Sequence, residues 1–88
     1  MSQIGVNRPH RLWWRKHRDA NKTLVALALV SEAPLGQFDL FVYQPAPGGI
    51  RRMAEETIGC SPGDAQGRAD ALVRDLLQHE CSGCGEWI

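Results

Sequence analysis

The chain has 88 residues, ten cationic and ten acidic side chains (Lys and Arg against Asp and Glu), and an apolar content of 43 %. A chain of this length forms one domain, here residues 1–88, with one modest core and no room for an active site buried between two lobes. The composition is ordinary for a globular protein and far from that of a disordered one.

The charge is divided unevenly along the chain. Residues 1–22 contain six cations and one acid, whereas residues 23–88 contain four cations and nine acids. Within the first part, the stretch RPHRLWWRKHR at 8–18 holds five cations, two His and two Trp, with no acid. This asymmetry predicts a basic, aromatic N-terminal arm on a mildly acidic body.

The apolar run at 24–30 follows the basic arm, as the core of a secretory signal would. The run is short for that purpose, and Pro34 follows the only plausible cleavage point, where proline is normally not tolerated. Seven apolar residues are also too few to span a membrane. We therefore expect a cytoplasmic protein without a membrane segment, and the odd number of cysteines agrees with this.

The basic arm has two structural interpretations. A helix over 8–18 would gather the arginines on one stripe but would leave no apolar face for docking. A strand that forms a hairpin with 23–30, through turn-forming residues at 19–22, places Trp13 and Trp14 on opposite faces. We favour this strand, with one indole packed inward and the other free.

Two further strands follow from alternating patterns. Residues 23–30 are apolar on both alternating faces, which predicts a central strand covered on both sides. Residues 37–44 place Phe38, Leu40 and Val42 on one face, which predicts a second strand paired with the first across a Pro-Leu-Gly turn.

The remaining segments predict helices. Residues 50–58 place most of their apolar side chains on one stripe, which favours a short helix. Residues 62–80 predict a long helix, with Ser61 as N-cap, Pro62 at the first position and Asp64 three residues after the cap. Its predicted buried stripe is Ala65, Ala69, Leu72, Val73, Leu76 and Leu77. The expected fold is α+β: a small three-stranded antiparallel sheet covered by one long C-terminal helix, with the short helix as an optional addition.

The candidate nucleic-acid-binding residues lie in the arm. Arg and Lys bind phosphates, while an exposed Trp offers a flat face on which a base can stack. The predicted set is Arg8, Arg11, Trp13, Trp14, Arg15, Lys16 and Arg18. The alternative interpretation is that both indoles are core and that the cations form a solvated strand face.

The C-terminal tail, residues 81–88, carries the second candidate site. Cys81 and Cys84 form a Cys-x-x-Cys-Gly pattern that resembles a zinc knuckle, and His79 is close by as a third ligand. Two Cys in one short tail also fit plain thiols without a cofactor, or a local disulfide. Thioredoxin-like redox chemistry is disfavoured, because the pair follows a helix C-terminus, which raises thiol pKa values.

A fourth zinc ligand has to come from elsewhere in the chain. If 62–80 is one helix, Cys60 lies roughly 27 Å from Cys81, which excludes it as a ligand or disulfide partner within one chain. The arm would then supply the ligand, from His10 or His17. A site shared across a homodimer would allow Cys60 instead.

The sequence contains no catalytic constellation: no Ser-His-Asp order with supporting context, no phosphate loop and no His-Glu-x-x-His. We therefore expect a small non-enzymatic binding protein whose arm engages nucleic acid or a nucleoprotein complex. The alternative is a protein–protein interaction module, such as a compact inhibitor or adaptor of the kind that phages and other mobile elements encode. It would act through exposed aromatics or through the acidic residues Glu55, Glu56, Asp70 and Asp75.

Overall fold

The computed structural model describes residues 11–80 and 84–88. The elements are β1 (Leu12–Arg18), β2 (Leu24–Ala33), β3 (Gln37–Ala46), β4 (Gly49–Gly59) and α1 (Pro62–Leu77). The strands form one antiparallel sheet in the order β1-β2-β3-β4, and α1 packs on one face of it. The α+β class is as predicted, but the three-stranded sheet is wrong, because this sheet has four strands.

The fourth strand replaces the predicted short helix at 50–58. The register between β3 and β4 shifts at Met53, which lies in a β-bulge. Met53 and its neighbour Ala54 therefore both pack against the core, together with Ile58, and this spacing imitates a helical stripe. Gly48, with φ of 83°, provides the left-handed backbone that the tight turn between β3 and β4 needs.

The hydrophobic core lies between α1 and the inner face of the sheet. Its buried members are Ala26, Ala28 and Val30 from β2, Phe38, Leu40 and Val42 from β3, and Ala65, Ala69 and Val73 from α1. Phe38, Leu40 and Val42, predicted to share one face of β3, all lie on the face toward the core. β2 was expected to be covered on both sides, but no described element packs on the sheet face opposite α1, which we call the open face.

Helix α1 begins as predicted and ends earlier. The Ser61 hydroxyl accepts a hydrogen bond from the Asp64 N–H at 3.1 Å, which confirms the N-cap. The helix ends at Leu77, because Gln78 adopts a left-handed conformation with φ of 52°. Leu76, predicted to be buried, is 45 % exposed. No helix of the described residues has the length and apolarity needed to cross a lipid bilayer.

The strand interpretation of the arm is confirmed for Leu12–Arg18. β1 pairs antiparallel with β2, with Trp13 opposite Val30 and Trp14 opposite Leu29, so the two indoles lie on opposite faces. The turn is built as its chemistry suggests, because Asp19 Oδ1 accepts hydrogen bonds from two backbone N–H groups of the turn, at 2.8 and 3.0 Å.

Candidate metal centre and open sheet face

Three side chains from three segments converge beside β1. His17, in β1, is fully buried and points to the side of the sheet that α1 covers. His79 follows the left-handed Gln78, which ends the helix and turns the chain. Cys84 belongs to the C-terminal segment 84–88. The ligand atoms of these three residues, which we call the metal cluster, all lie within 4.8 Å of one another.

The distances in the metal cluster match those of a tetrahedral site. The Cys84 Sγ is 3.5 Å from Nδ1 of His17 and 3.5 Å from Nε2 of His79. In a tetrahedral zinc site, the usual Zn–S and Zn–N bond lengths separate sulfur from nitrogen by about 3.6 Å. The two imidazole rings lie edge to face, with centroids 6.0 Å apart. The three side chains are therefore close enough to hold a metal ion.

Asp70, in α1, lies behind His17. Its Oδ1 is 3.3 Å from His17 Nε2, the ring nitrogen that does not face Cys84, although the contact departs from ideal hydrogen-bond geometry. Metal-binding histidines usually direct their second nitrogen at a carboxylate or carbonyl, which fixes the tautomer and the orientation of the ring. Asp70 occupies the position of such an orienting carboxylate.

The second oxygen of Asp70 joins it to two more side chains. Oδ2 accepts a hydrogen bond from Arg15 Nη1 at 2.9 Å and from the Trp87 indole at 3.5 Å. Partial burial acts to raise the pKa of Asp70, but the contact with His17, the charge of Arg15 and the Trp87 N–H together outweigh it. The pKa of Asp70 therefore lies below its ordinary value, and the carboxylate is ionised at neutral pH.

The C-terminal segment covers the outer edge of β1. The backbones of Ile88 and Trp14 exchange two hydrogen bonds, at 2.9 and 3.2 Å, and the Gly85 N–H donates to the Lys16 carbonyl at 3.1 Å. The Arg15 Nε–H adds a bond to the Gly85 carbonyl at 2.7 Å. Cys84 thus directly precedes the residues that pair with β1, and the metal cluster would anchor them beside this strand.

The oxidation state of Cys84 decides whether the sulfur can bind a metal. The structure gives Cys84 a disulfide bond. A thiolate is needed for metal binding, so the metal-holding state requires reduction. Cys60 is a free cysteine, and burial together with Asp64 raises its pKa. It precedes the N-terminus of α1, whereas His79 follows the C-terminus of this 16-residue helix, roughly 24 Å away.

The structure brings together His79 and Cys84, two of the three ligands predicted near the tail, with His17, one of the two arm histidines predicted to complete the site. Cys81 and His10 lie outside the described residues. Asp70 was not predicted as part of this site, because it is distant from His17 in the sequence. The one sequence feature that could have pointed to Asp70 is its position next to Ala69, at the margin of the buried stripe of the helix.

The predicted nucleic-acid-binding residues are divided between the two faces of β1. Trp13 and Arg15 face α1, and Trp14, Lys16 and Arg18 face away from it. Trp13 packs against Phe38, with ring centroids 6.1 Å apart, and Arg11 lies 4.9 Å above the Trp13 ring. The Arg15 guanidinium contacts Asp70 and Gly85 within the chain. Arg8 lies outside the described residues.

Aromatic and apolar side chains form rows across the open face. One row is Trp14, Leu29, Phe41 and Glu55, and the next is Lys16, Leu27, Tyr43 and Arg52. Phe41 and Tyr43 are stacked, with centroids 6.2 Å apart and 19° between the rings. The open face therefore combines three aromatic side chains with a row that has a cation at each end.

Cations gather at one end of the sheet, where the β1–β2 and β3–β4 turns lie side by side. This basic end comprises Lys16, Arg18, Lys22, Arg51 and Arg52. Asp19 is the acid in the β1–β2 turn, and its carboxylate is engaged by backbone N–H groups. Arg51 and Arg52 were absent from the predicted site, because a helix at 50–58 would not have placed them in the same sheet as the arm.

No protein-family model, curated protein or solved structure matches this chain. Function is therefore inferred from the geometry of the described residues.

Proposed function

We propose that this chain is a small non-enzymatic binding protein, in which a structural zinc ion fixes β1 and the open face binds nucleic acid or a nucleoprotein complex. The alternation of residues in β1 carries this proposal. On the α1 side of the strand, Trp13 packs on the core, Arg15 contacts Asp70 and His17 belongs to the metal cluster. The residues that alternate with them lie on the open face. One strand therefore connects the metal centre to the binding surface.

Zinc is the metal that this ligand set favours, because imidazole and thiolate ligands with tetrahedral spacing are typical of zinc sites. We assign the fourth ligand position to Cys81 from the Cys-x-x-Cys pattern of the sequence. A site closed by four protein ligands is structural, since a catalytic zinc keeps one position open. Thiolates persist in the reducing cytoplasm, so a cytoplasmic location is part of the proposal.

The open face supplies both kinds of contact that nucleic acid needs. The cations of the basic end that lie on this face, Lys16, Arg18 and Arg52, neutralise phosphates. Trp14, Phe41 and Tyr43 offer faces on which unpaired bases stack. These three aromatics are half-buried. Aromatics on the face of a sheet, flanked by cations, are the arrangement that many RNA-binding and single-strand-binding domains use. Arg15 has no part in this surface, because it holds Asp70 and the C-terminal segment.

A protein partner is the alternative occupant, since Leu27 and Leu29 contribute apolar area to the open face. The acidic residues expected to serve such a partner already have cations within the chain. Glu55 has Arg52, Glu56 has Arg68, Asp70 has Arg15 and Asp75 has Arg74. The cations of the basic end include several without such an acidic neighbour among the ion pairs of the described residues, which favours an anionic ligand.

Fluorescence anisotropy of labelled oligonucleotides tests the nucleic-acid part of this proposal. Reduced, zinc-loaded protein should bind a single strand more tightly than a duplex, with affinity falling steeply as salt rises. Lys16→Gln combined with Arg18→Gln, two cations on the open face, should weaken binding and lower the log–log salt slope by about one unit per lost phosphate contact. Arg74→Gln, an exposed change on α1, is the matched control and should leave binding unchanged.

Equal binding by the double variant and the control would show that the basic end does not contact phosphate. Absence of oligonucleotide binding by the wild type in low salt would reject nucleic acid as the ligand and leave a protein partner. Neither result bears on the zinc site, which a melting experiment tests separately.

A further inference from the structure

The outer edge of β4 is the second edge of the sheet. In the part of the chain that the structure describes, β4 pairs with β3 alone, whereas β1 at the opposite edge is covered by the segment 84–88. β4 is 11 residues long. A long edge strand presents a row of backbone N–H and C=O groups, which pair with another strand unless something blocks them.

The sequence of β4 is complementary to itself when read in the opposite direction. Its centre is Arg51-Arg52-Met53-Ala54-Glu55-Glu56. An antiparallel copy centred between Met53 and Ala54 places Arg51 opposite Glu56 and Arg52 opposite Glu55. Opposite charges in directly facing positions stabilise a strand pair, and like charges destabilise it.

The β-bulge puts these facing residues on matching sides of the sheet. In a regular strand, residues 51 and 56 would lie on opposite faces, because side chains alternate. The register shift at Met53 corrects this. Arg51 and Glu56 both pair with β3 residues of the α1 side, Gln44 and Leu40 respectively.

The second pair of charges also matches, on the other side of the sheet. Arg52 and Glu55 pair with Tyr43 and Phe41, which lie on the open face. Met53 and Ala54, at the centre of the alignment, both pack toward the core. Within each facing pair from 51 to 56, the two residues therefore lie on the same side of the sheet, as antiparallel pairing requires.

We propose that β4 pairs with β4 of a second copy of this chain, forming a two-fold symmetric dimer with one continuous eight-stranded sheet. Such an interface is isologous, because the same residues contribute from both copies. Within one chain, Arg52 and Glu55 form an ion pair at 3.3 Å, with side chains 56 % and 55 % exposed, so both remain accessible to the second copy. The two open faces become continuous in this dimer.

Bulges and charges on an edge strand also serve to block pairing, and that is the competing interpretation. Sedimentation equilibrium of nucleic-acid-free protein separates the two. The wild type should have twice the 9.8 kDa mass of one chain. Arg52→Glu and Glu55→Arg should each give monomers, since each change places like charges opposite one another in both halves of the interface.

Mixing the two variants provides the decisive measurement. In one half of the interface, the new Glu at position 52 of the first variant faces the new Arg at position 55 of the second. In the other half, the unchanged Glu55 of the first variant faces the unchanged Arg52 of the second. Opposite charges meet at both places, so an equimolar mixture should form a one-to-one heterodimer. Arg74→Glu on α1 is the matched charge reversal and should stay dimeric, and circular dichroism melts should show that all variants are folded. A wild type that is monomeric at several hundred micromolar, single variants that remain dimers, or a mixture that remains monomeric would each overturn the proposal.

Discussion

Zinc should raise the melting temperature of the reduced, metal-free protein, because the metal cluster joins β1, the residues after α1 and the C-terminal segment. A ligand that binds only the folded state adds about 2.7 kcal/mol at a free concentration one hundred times its Kd. For a domain of this size, 1 kcal/mol moves the melting temperature by about 4–8 °C. The expected rise is therefore about 11–22 °C.

Variants identify the residues that are responsible for the rise. His79→Ala should lose the zinc-dependent rise and keep the fold, because His79 lies outside the hydrophobic core. His17→Ala should lose the rise and also melt lower without metal, since it empties a fully buried position. Asp70→Asn keeps every ligand but weakens the orienting contact to His17, so zinc affinity should fall about 10–100-fold. Cys60→Ala is the control and should keep the full rise.

The assay is a circular dichroism melt in a zinc buffer, after chelation and treatment with a phosphine reductant. Without reductant, the Cys84 disulfide should prevent the rise, because the sulfur has no thiolate to offer. An unchanged melt of reduced wild type across the zinc series would refute the argument. Retention of the whole rise by His79→Ala would refute the ligand assignment in particular.

Two further comparisons test the packing. Leu40 is fully buried, whereas Leu76 is 45 % exposed. In chemical denaturation, Leu40→Ala should therefore lower the free energy of unfolding by about 2–5 kcal/mol, and Leu76→Ala should lower it much less. Similar losses of stability in the two variants would show that α1 is rotated. Trp13 packs on Phe38 and the core, whereas Trp14 lies on the open face. Trp13→Ala should therefore mainly destabilise, by about 3–5 kcal/mol, and Trp14→Ala should mainly weaken oligonucleotide binding, by about 1–3 kcal/mol. Equal effects of both changes on stability and binding would contradict this division.

Local signals in the sequence predicted the elements that local chemistry controls. The N-cap at Ser61, the turn around Asp19 and the alternation that sets the phase of β3 all depend on residues close to one another. The error at 50–58 has a specific cause, because the bulge at Met53 turns two successive residues inward and so produces helical spacing. Bulges arise from pairing between strands, which one segment alone does not reveal.

The candidate site shows the same division between local and long-range information. His79 and Cys84 were found because they are neighbours in the sequence. His17 was predicted as one of two arm candidates, and its place in the site depends on the inward phase of β1, which the hairpin with β2 sets. Asp70 required the position of α1 on the sheet, and Arg52 required the pairing of β4 with β3. These contacts form between distant segments, so neither periodicity nor motif spacing contains them.

The composition of the core explains why a metal would be useful in this fold. Four of the nine buried hydrophobic residues are alanines, namely Ala26, Ala28, Ala65 and Ala69. Alanine allows close approach of α1 to the sheet but buries little apolar area, and small domains with little buried area commonly need a metal or disulfides. His17 adds the desolvation cost of a buried imidazole, which coordination to zinc and contact with Asp70 would offset. Because the metal cluster lies at β1 and not within the alanine layer, loss of zinc should loosen β1 and the segment 84–88 first, leaving β2, β3 and α1 packed.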